Sequence, residues 1–183
     1  MAKTPVAAEA VFQHAECFYQ AFAALRSLSP DPRENMHGAI TLVEPLIVLA
    51  SLTSELFLKC LICIETGDTP REHNLKELFD QLSEGTRARI QRFWDREVAA
   101  RKREEWDNLE KFGLKMPRDL PSALAKGSNA FIRYRYSYEG NTEGLHYYLE
   151  ELPALLQKLI LEMNPNLESC RRAPLPLLGV SYH

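Results

Sequence analysis

LIVLASLTSELFLKCLICIE, running from Leu46 to Glu65, is the stretch whose reading decides the fold. It is almost continuously apolar, yet Ser51, Glu55 and Lys59 recur every four residues. Side chains at that spacing lie one above another on a helix, so they form a narrow polar stripe. The pattern predicts a helix buried nearly all round, with one wet or partner-facing seam. Glu55 precedes Lys59 by four positions, the favourable order for a helical ion pair. The stretch is long enough to cross a membrane, but two charges at its centre are costly in lipid and favour a core helix.

On the N-terminal side, Val11, Phe12, Ala15, Phe18, Tyr19, Phe22 and Leu25 share helical spacing between about Val6 and Leu28. Pro30, Pro32 and Gly38 then interrupt the pattern, and helix is expected to resume between Ala39 and Pro45. On the C-terminal side, Gly67 suits a C-cap and Asn74 is a better helix starter than His73. Leu75, Leu78, Phe79 and Leu82 give the next helix its apolar face, with Gly85 expected at its end.

From Thr86 to Leu109 an apolar stripe of Ile90, Phe93, Trp94, Val98 and Trp106 runs beside a strongly basic face. Between Arg87 and Arg103, seven basic residues oppose only Asp95 and Glu97. Arg89, Arg92 and Arg96 are therefore the candidate RNA-contacting surface, with the tryptophans near it. The competing reading is a solvated face whose arginine stems cover apolar surface. The net charge of the whole chain is -3, so any attraction for a polyanion has to be local.

A loop broken by Gly113, Pro117 and Pro121 leads to a helix expected near Ser122. NAFIRYRYSYEGN alternates like a strand, but no partner strand is found elsewhere, so it reads as helix ending before Gly140. A last helix is expected from about Thr142 to Met163, interrupted at Pro153. The 183 residues divide into one helical domain, 1–163, and a Pro-rich extended tail, 164–183, whose LPLLGVSY segment has the character to dock. The expected class is all-α, an up-and-down bundle of about five helices.

Four scattered cysteines give no disulfide framework, and Cys60 and Cys63 fall inside an apolar helix without a second ligand pair. They read as buried thiols, and neither a metal nor a cofactor is expected. The start, MAKTPVAAEAVFQHAECF, lacks the features of a signal peptide, so a cytoplasmic protein is expected, with no membrane partner.

Three pieces now stand in order: the helix with its Glu-Lys stripe, the His-Asn-Leu-x-x-Leu turn-helix from His73 to Leu78, and Arg-Tyr-x-Tyr-Glu from Arg135 to Glu139. Together they resemble the HEPN domain, a helical superfamily of nucleotide-binding proteins, over roughly Val6 to Met163. The resemblance implies a homodimeric bundle acting on RNA or a nucleotide, in phage defence or as a toxin paired with a nucleotidyltransferase antitoxin. Candidate ligand-binding residues are Arg133, Arg135, Tyr136 and Glu139, together with Glu55, Lys59 and His73.

Active ribonucleases of that family carry an arginine followed, after four to six residues, by a histidine. None of the five histidines here has that spacing: Arg33 precedes His37 with only three residues between. No catalytic residue is therefore assigned, and the expected function is a non-catalytic module binding RNA, a nucleotide or a protein. Two alternatives stay open. One is a divergent metal-independent ribonuclease using Arg133, Arg135 and Glu139; the other is a structural dimerisation scaffold in which Arg135 pairs with Glu139.

Overall fold

The computed structural model describes residues 7–31, 34–111, 117–128 and 149–173. Among them every regular element is helical: α1 Ala8–Leu28, α2 Met36–Thr66, α3 Leu75–Gln81, α4 Glu84–Trp94, α5 Ala100–Lys111, α6 Leu120–Gly127 and α7 Leu152–Met163. A π-helical turn, Asp95–Ala99, joins α4 to α5, and a 3-10 helix, Pro165–Cys170, follows α7. The all-α class expected from periodicity holds. The arginine-tyrosine segment with Arg133, Arg135, Tyr136 and Glu139 lies outside the described residues, as does LPLLGVSY.

Helix α2 is the axis of the bundle. Phe57, Leu58, Cys60, Leu61, Ile62 and Cys63 are all buried, on every side of its C-terminal half. α1 packs antiparallel to it, Phe12 and Tyr19 reaching Phe57 with ring centroids 5.9 and 6.0 Å apart. α3 and α7 cover other sides, α6 rests on α3, and α4 lies against α7. The most apolar window of α2 has a mean hydropathy of 2.0 and is 67% buried within the protein, the placement of a core helix. Phe57 is fully buried, and truncating such a ring costs about 3–5 kcal/mol.

The ends of α2 are set by local chemistry. It begins at Met36, earlier than the expected Ala39–Pro45, because Asn35 Oδ1 accepts from the Gly38 N–H at 2.8 Å. A Cβ on Gly38 would stand 2.7 Å from Asn35 Nδ2, so the glycine leaves room for its own cap. Pro45 sits inside the helix on the exposed side and forfeits one backbone bond there. At the other end Gly67 adopts φ 78° and donates its N–H to Cys63 O at 2.9 Å, the αL stop its position predicts.

The expected wet seam on α2 is absent. Ser51 and Glu55 are both buried, so the stripe is closed inside the protein. Two further corrections concern helix boundaries. Gly85 does not end α3: Ser83 caps a new helix by accepting from Thr86 N, and Gly85 falls in its first turn. The last helix starts at Leu152, not near Thr142, and Pro153 occupies its first turn, where a missing N–H costs nothing.

The segment after Met163 also departs from an extended tail. Pro165–Cys170 folds as a 3-10 helix with Leu167 buried, packed on α7 and α1. The reason is polar as well as apolar. Glu16 of α1 is fully buried, and its carboxylate accepts from Gln157 Nε2 and, at 3.2 Å, from the Arg172 N–H. That arrangement ties α1, α7 and the chain after the 3-10 helix to one buried carboxylate.

Candidate functional site

The candidate residues within the described chain separate into two places. Glu55, Lys59 and His73 converge at the first. Glu55 Oε1 lies 2.9 Å from Lys59 Nζ and 2.8 Å from His73 Nδ1. The ion pair follows from the four-residue spacing on α2. The histidine arrives from the turn before α3, whose path is set by two carboxylate-and-amide caps. Glu72 Oε1 accepts from the His73 and Asn74 N–H groups, at 2.7 and 2.6 Å. Asn74 Oδ1 then caps α3 by accepting from Lys76 N and Glu77 N, at 3.0 and 3.2 Å. Hydrogen bonds from the Asn74 and His73 N–H groups hold the Glu72 carboxyl below its ordinary range.

Asn74, not His73, is the cap, as the sequence favoured. His73 instead spans 18 positions to Glu55. Its side chain is 73% exposed, against 8% for Glu55 and 12% for Lys59. A carboxylate accepting from Nδ1–H orients the ring and leaves Nε2 toward solvent, an arrangement that suits both a structural latch and a base. Glu55 is held from two sides in the buried part of the bundle, and the His73 contact ties the loop before α3 to α2.

The second place is the basic face. Arg89, Arg92 and Arg96 fall at i, i+3 and i+7 and project from one side of α4 and the π turn, all three exposed. With Phe93, Leu159 and Glu162 they line a shallow groove of about 310 Å³ between α4 and α7. Among the described residues Arg89 and Arg92 make no ion pair. Arg96 Nε donates to Glu97 at 2.9 Å, and Arg101 donates to the other oxygen at the same distance. The Arg96 hydrogen bond, outweighing burial, and the neighbouring cations Arg101 and Lys158 keep the Glu97 carboxyl below its usual range. Phe93 lies between two cations, Arg96 Cζ at 4.9 Å and Lys158 Nζ at 4.7 Å from its centroid.

The tryptophans expected near this face are not on it. Trp94 and Trp106 are buried, and Trp94 Nε1 donates to Arg118 O at 3.4 Å. The aromatic residue of the basic surface is Phe93, which the sequence placed in the apolar stripe. The π turn accounts for the difference. Ile90 and Trp106 are 16 residues apart, which on a regular helix leaves them about 160° out of line. One extra residue in the turn, seen as the Ala100 N–H reaching Asp95 O, reduces the mismatch to about 60°. Both tryptophan faces then meet the core, while Phe93 stands at its edge.

The same turn forms one wall of a larger cleft, about 540 Å³, between α1, the π turn and the start of α7. Tyr19, Phe22, Phe93, Val98 and Leu155 supply its apolar surface. Burial, reinforced by the charge of Glu16, pushes the Tyr19 phenol above its ordinary range and keeps it protonated. Among the described residues, none of the candidates from the sequence lines this cleft.

The thiols are where the sequence put them. Cys60 and Cys63 are buried, and desolvation pushes the Cys60 thiol up to about 12 and raises that of Cys63. Among the described residues no group of His, Cys, Asp and Glu is arranged to hold a metal ion. Set beside known proteins, the chain matches no family model, no curated protein and no solved structure.

Proposed function

We propose that this protein is a non-catalytic, HEPN-like module that binds RNA along the groove of Arg89, Arg92 and Arg96. The observation that carries the reading is the uncompensated charge of that groove. Arg89, Arg92 and Arg96 stand against Glu162 on its lining, a surplus of two positive charges on the surface of a chain whose total is -3. An arginine whose charge is not already neutralised has most to gain from a phosphate. Phe93, between Arg96 and Lys158, holds both cations at the groove's edge.

Binding without cleavage is the chemical half of the reading. Arginine supplies charge stabilisation, but cleavage also needs proton transfer, worth about a hundredfold to ten-thousandfold in rate. None of the histidines follows an arginine at the family's spacing. The reading places the protein in the cytoplasm, without cofactor, and keeps the nucleotidyltransferase antitoxin as the partner class that the resemblance implies. It also makes the protein a homodimer. Met36, Ile40 and Val43 form a helical stripe at the free end of α2, 58, 60 and 45% exposed, with Leu28 of α1 59% exposed. An apolar strip of this kind favours self-association.

The deciding experiment measures fluorescence anisotropy of a mixed-sequence single-stranded RNA across a salt series. Arg89→Ala, Arg92→Ala and Arg96→Ala together should weaken binding and reduce the salt slope by roughly two, at about 0.7 per lost contact. An unchanged slope makes this face a solvated surface and removes the proposal. Single-turnover incubation of the same RNA should return it intact. Cleavage abolished by Arg135→Ala would establish the ribonuclease instead.

A further inference from the structure

We propose that the cleft between α1, the π turn and α7 is a binding site for a small monoanionic amphiphile, an aryl or acyl carboxylate. Three independent features of the cleft lead there. Its volume of about 540 Å³ lies within the range of small-molecule sites, about 300–1,000 Å³. Its walls are apolar and partly aromatic, from Tyr19, Phe22, Phe93, Val98 and Leu155, which suits a hydrophobic body. Finally, the π turn is a local insertion of a kind concentrated at functional positions, and here it contributes Glu97 and Val98 to the lining.

Charge selects the head group. Arg26 is 3.7 Å from the Glu150 carboxylate, Arg101 is 2.9 Å from Glu97, and Lys102 is 2.7 Å from Glu151. Each acid of the rim therefore has its own cation. Lys158 is the remaining lining cation; among the described residues it forms no ion pair, and its ammonium rests over Phe93. One unspent positive charge beside an aromatic wall complements one negative charge on an apolar body. A dianion would have to break an existing rim pair to be neutralised, and a cation would meet Lys158 directly.

This site borders the arginine groove at Phe93, which lines both, but Arg89, Arg92 and Arg96 do not line it. The test uses 1-naphthoate, its neutral analogue 1-naphthalenemethanol and its cationic analogue 1-naphthylmethylamine, titrated calorimetrically into the full chain. The expected result is one-to-one binding of naphthoate, at least about tenfold tighter than the alcohol, with the amine weakest. Lys158→Gln should erase the preference for naphthoate over the alcohol. Ala154→Trp, at an exposed position on the cleft wall, should abolish binding of both while leaving RNA affinity unchanged. No naphthoate binding at millimolar concentration, equal binding of all three compounds, or binding indifferent to Ala154→Trp would each overturn the assignment. Loss of RNA binding in the triple arginine variant with naphthoate binding intact would separate the two sites.

Discussion

On α2 the carboxylate of Glu55 is buried and shared by Lys59 and His73; on α4 the arginines Arg89 and Arg92 stand in solvent with no carboxylate beside them among the described residues. Both clusters were candidate ligand sites, the first alongside the family resemblance and the second from its run of basic side chains. What separates them is whether the charge is already answered. A buried ion whose partners are in place has little left for a ligand, and removing one partner leaves an uncompensated charge in a poor solvent. An exposed arginine contributes little to folding, because water already solvates it, and is available to a phosphate. The first cluster therefore has its charges answered within the fold, and the second leaves Arg89 and Arg92 unpaired among the described residues.

The largest effect expected breaks the comparison on its buried side. Glu55→Ala strands Lys59, 12% exposed, and should cost about 3 kcal/mol in urea unfolding, while the folded fraction binds RNA as the parent does. A loss of RNA affinity at unchanged stability would move Glu55 to the binding side.

Next comes the exposed cluster by itself. Arg89→Glu with Arg92→Glu should change unfolding free energy by no more than about 0.5 kcal/mol, yet reduce RNA affinity beyond the alanine substitutions. Equal losses of stability and affinity would erase the distinction between the two clusters.

Splitting the Glu55 cluster into its two arms sharpens the point. His73→Ala removes the exposed arm only, so the cost should stay within about 1 kcal/mol, the range of exposed ion pairs. A cost equal to that of Glu55→Ala would show that the imidazole, not the lysine, satisfies the buried carboxylate.

The smallest effect tests another carboxylate, Glu65, at the end of α2. It accepts from Ser83 N at 2.8 Å, Ser83 Oγ at 2.7 Å and Thr86 Oγ1 at 2.5 Å, neutral donors rather than cations. Burial pushes its pKa up, but these three hydrogen bonds outweigh that and leave it below the ordinary 4.5. A depressed folded-state pKa gives a contribution present above the unfolded value and lost as pH falls through the folded one. The gap in urea midpoint between the parent and Glu65→Gln should thus be present at pH 7, close below about pH 4, and be insensitive to salt.

Much of this comparison is legible in the sequence. The Glu55-Lys59 pair and the single-sided placement of Arg89, Arg92 and Arg96 both follow from spacing. The contacts that complete each cluster do not. His73 reaches Glu55 across a turn, and Phe93 reaches Lys158 across two helices, contacts that no local period encodes. Trp94 and Trp106 show the same limit from the other side, since a one-residue π insertion rotates them into the core.

By itself, then, the chain determined what repeats every 3.6 residues or depends on one or two neighbours. That covers the apolar α2, the αL stop at Gly67, the Asn74 cap and the burial of Cys60 and Cys63. Helix geometry and backbone sterics act over a few residues and hardly vary with context. The tertiary structure alone decided which charges were answered. Glu16 meets Gln157 across 141 positions, Lys102 meets Glu151 across the bundle, and Lys158 is left over Phe93. Those outcomes depend on how helices cross, because a Coulomb partner is chosen by distance in space and by the water excluded around it.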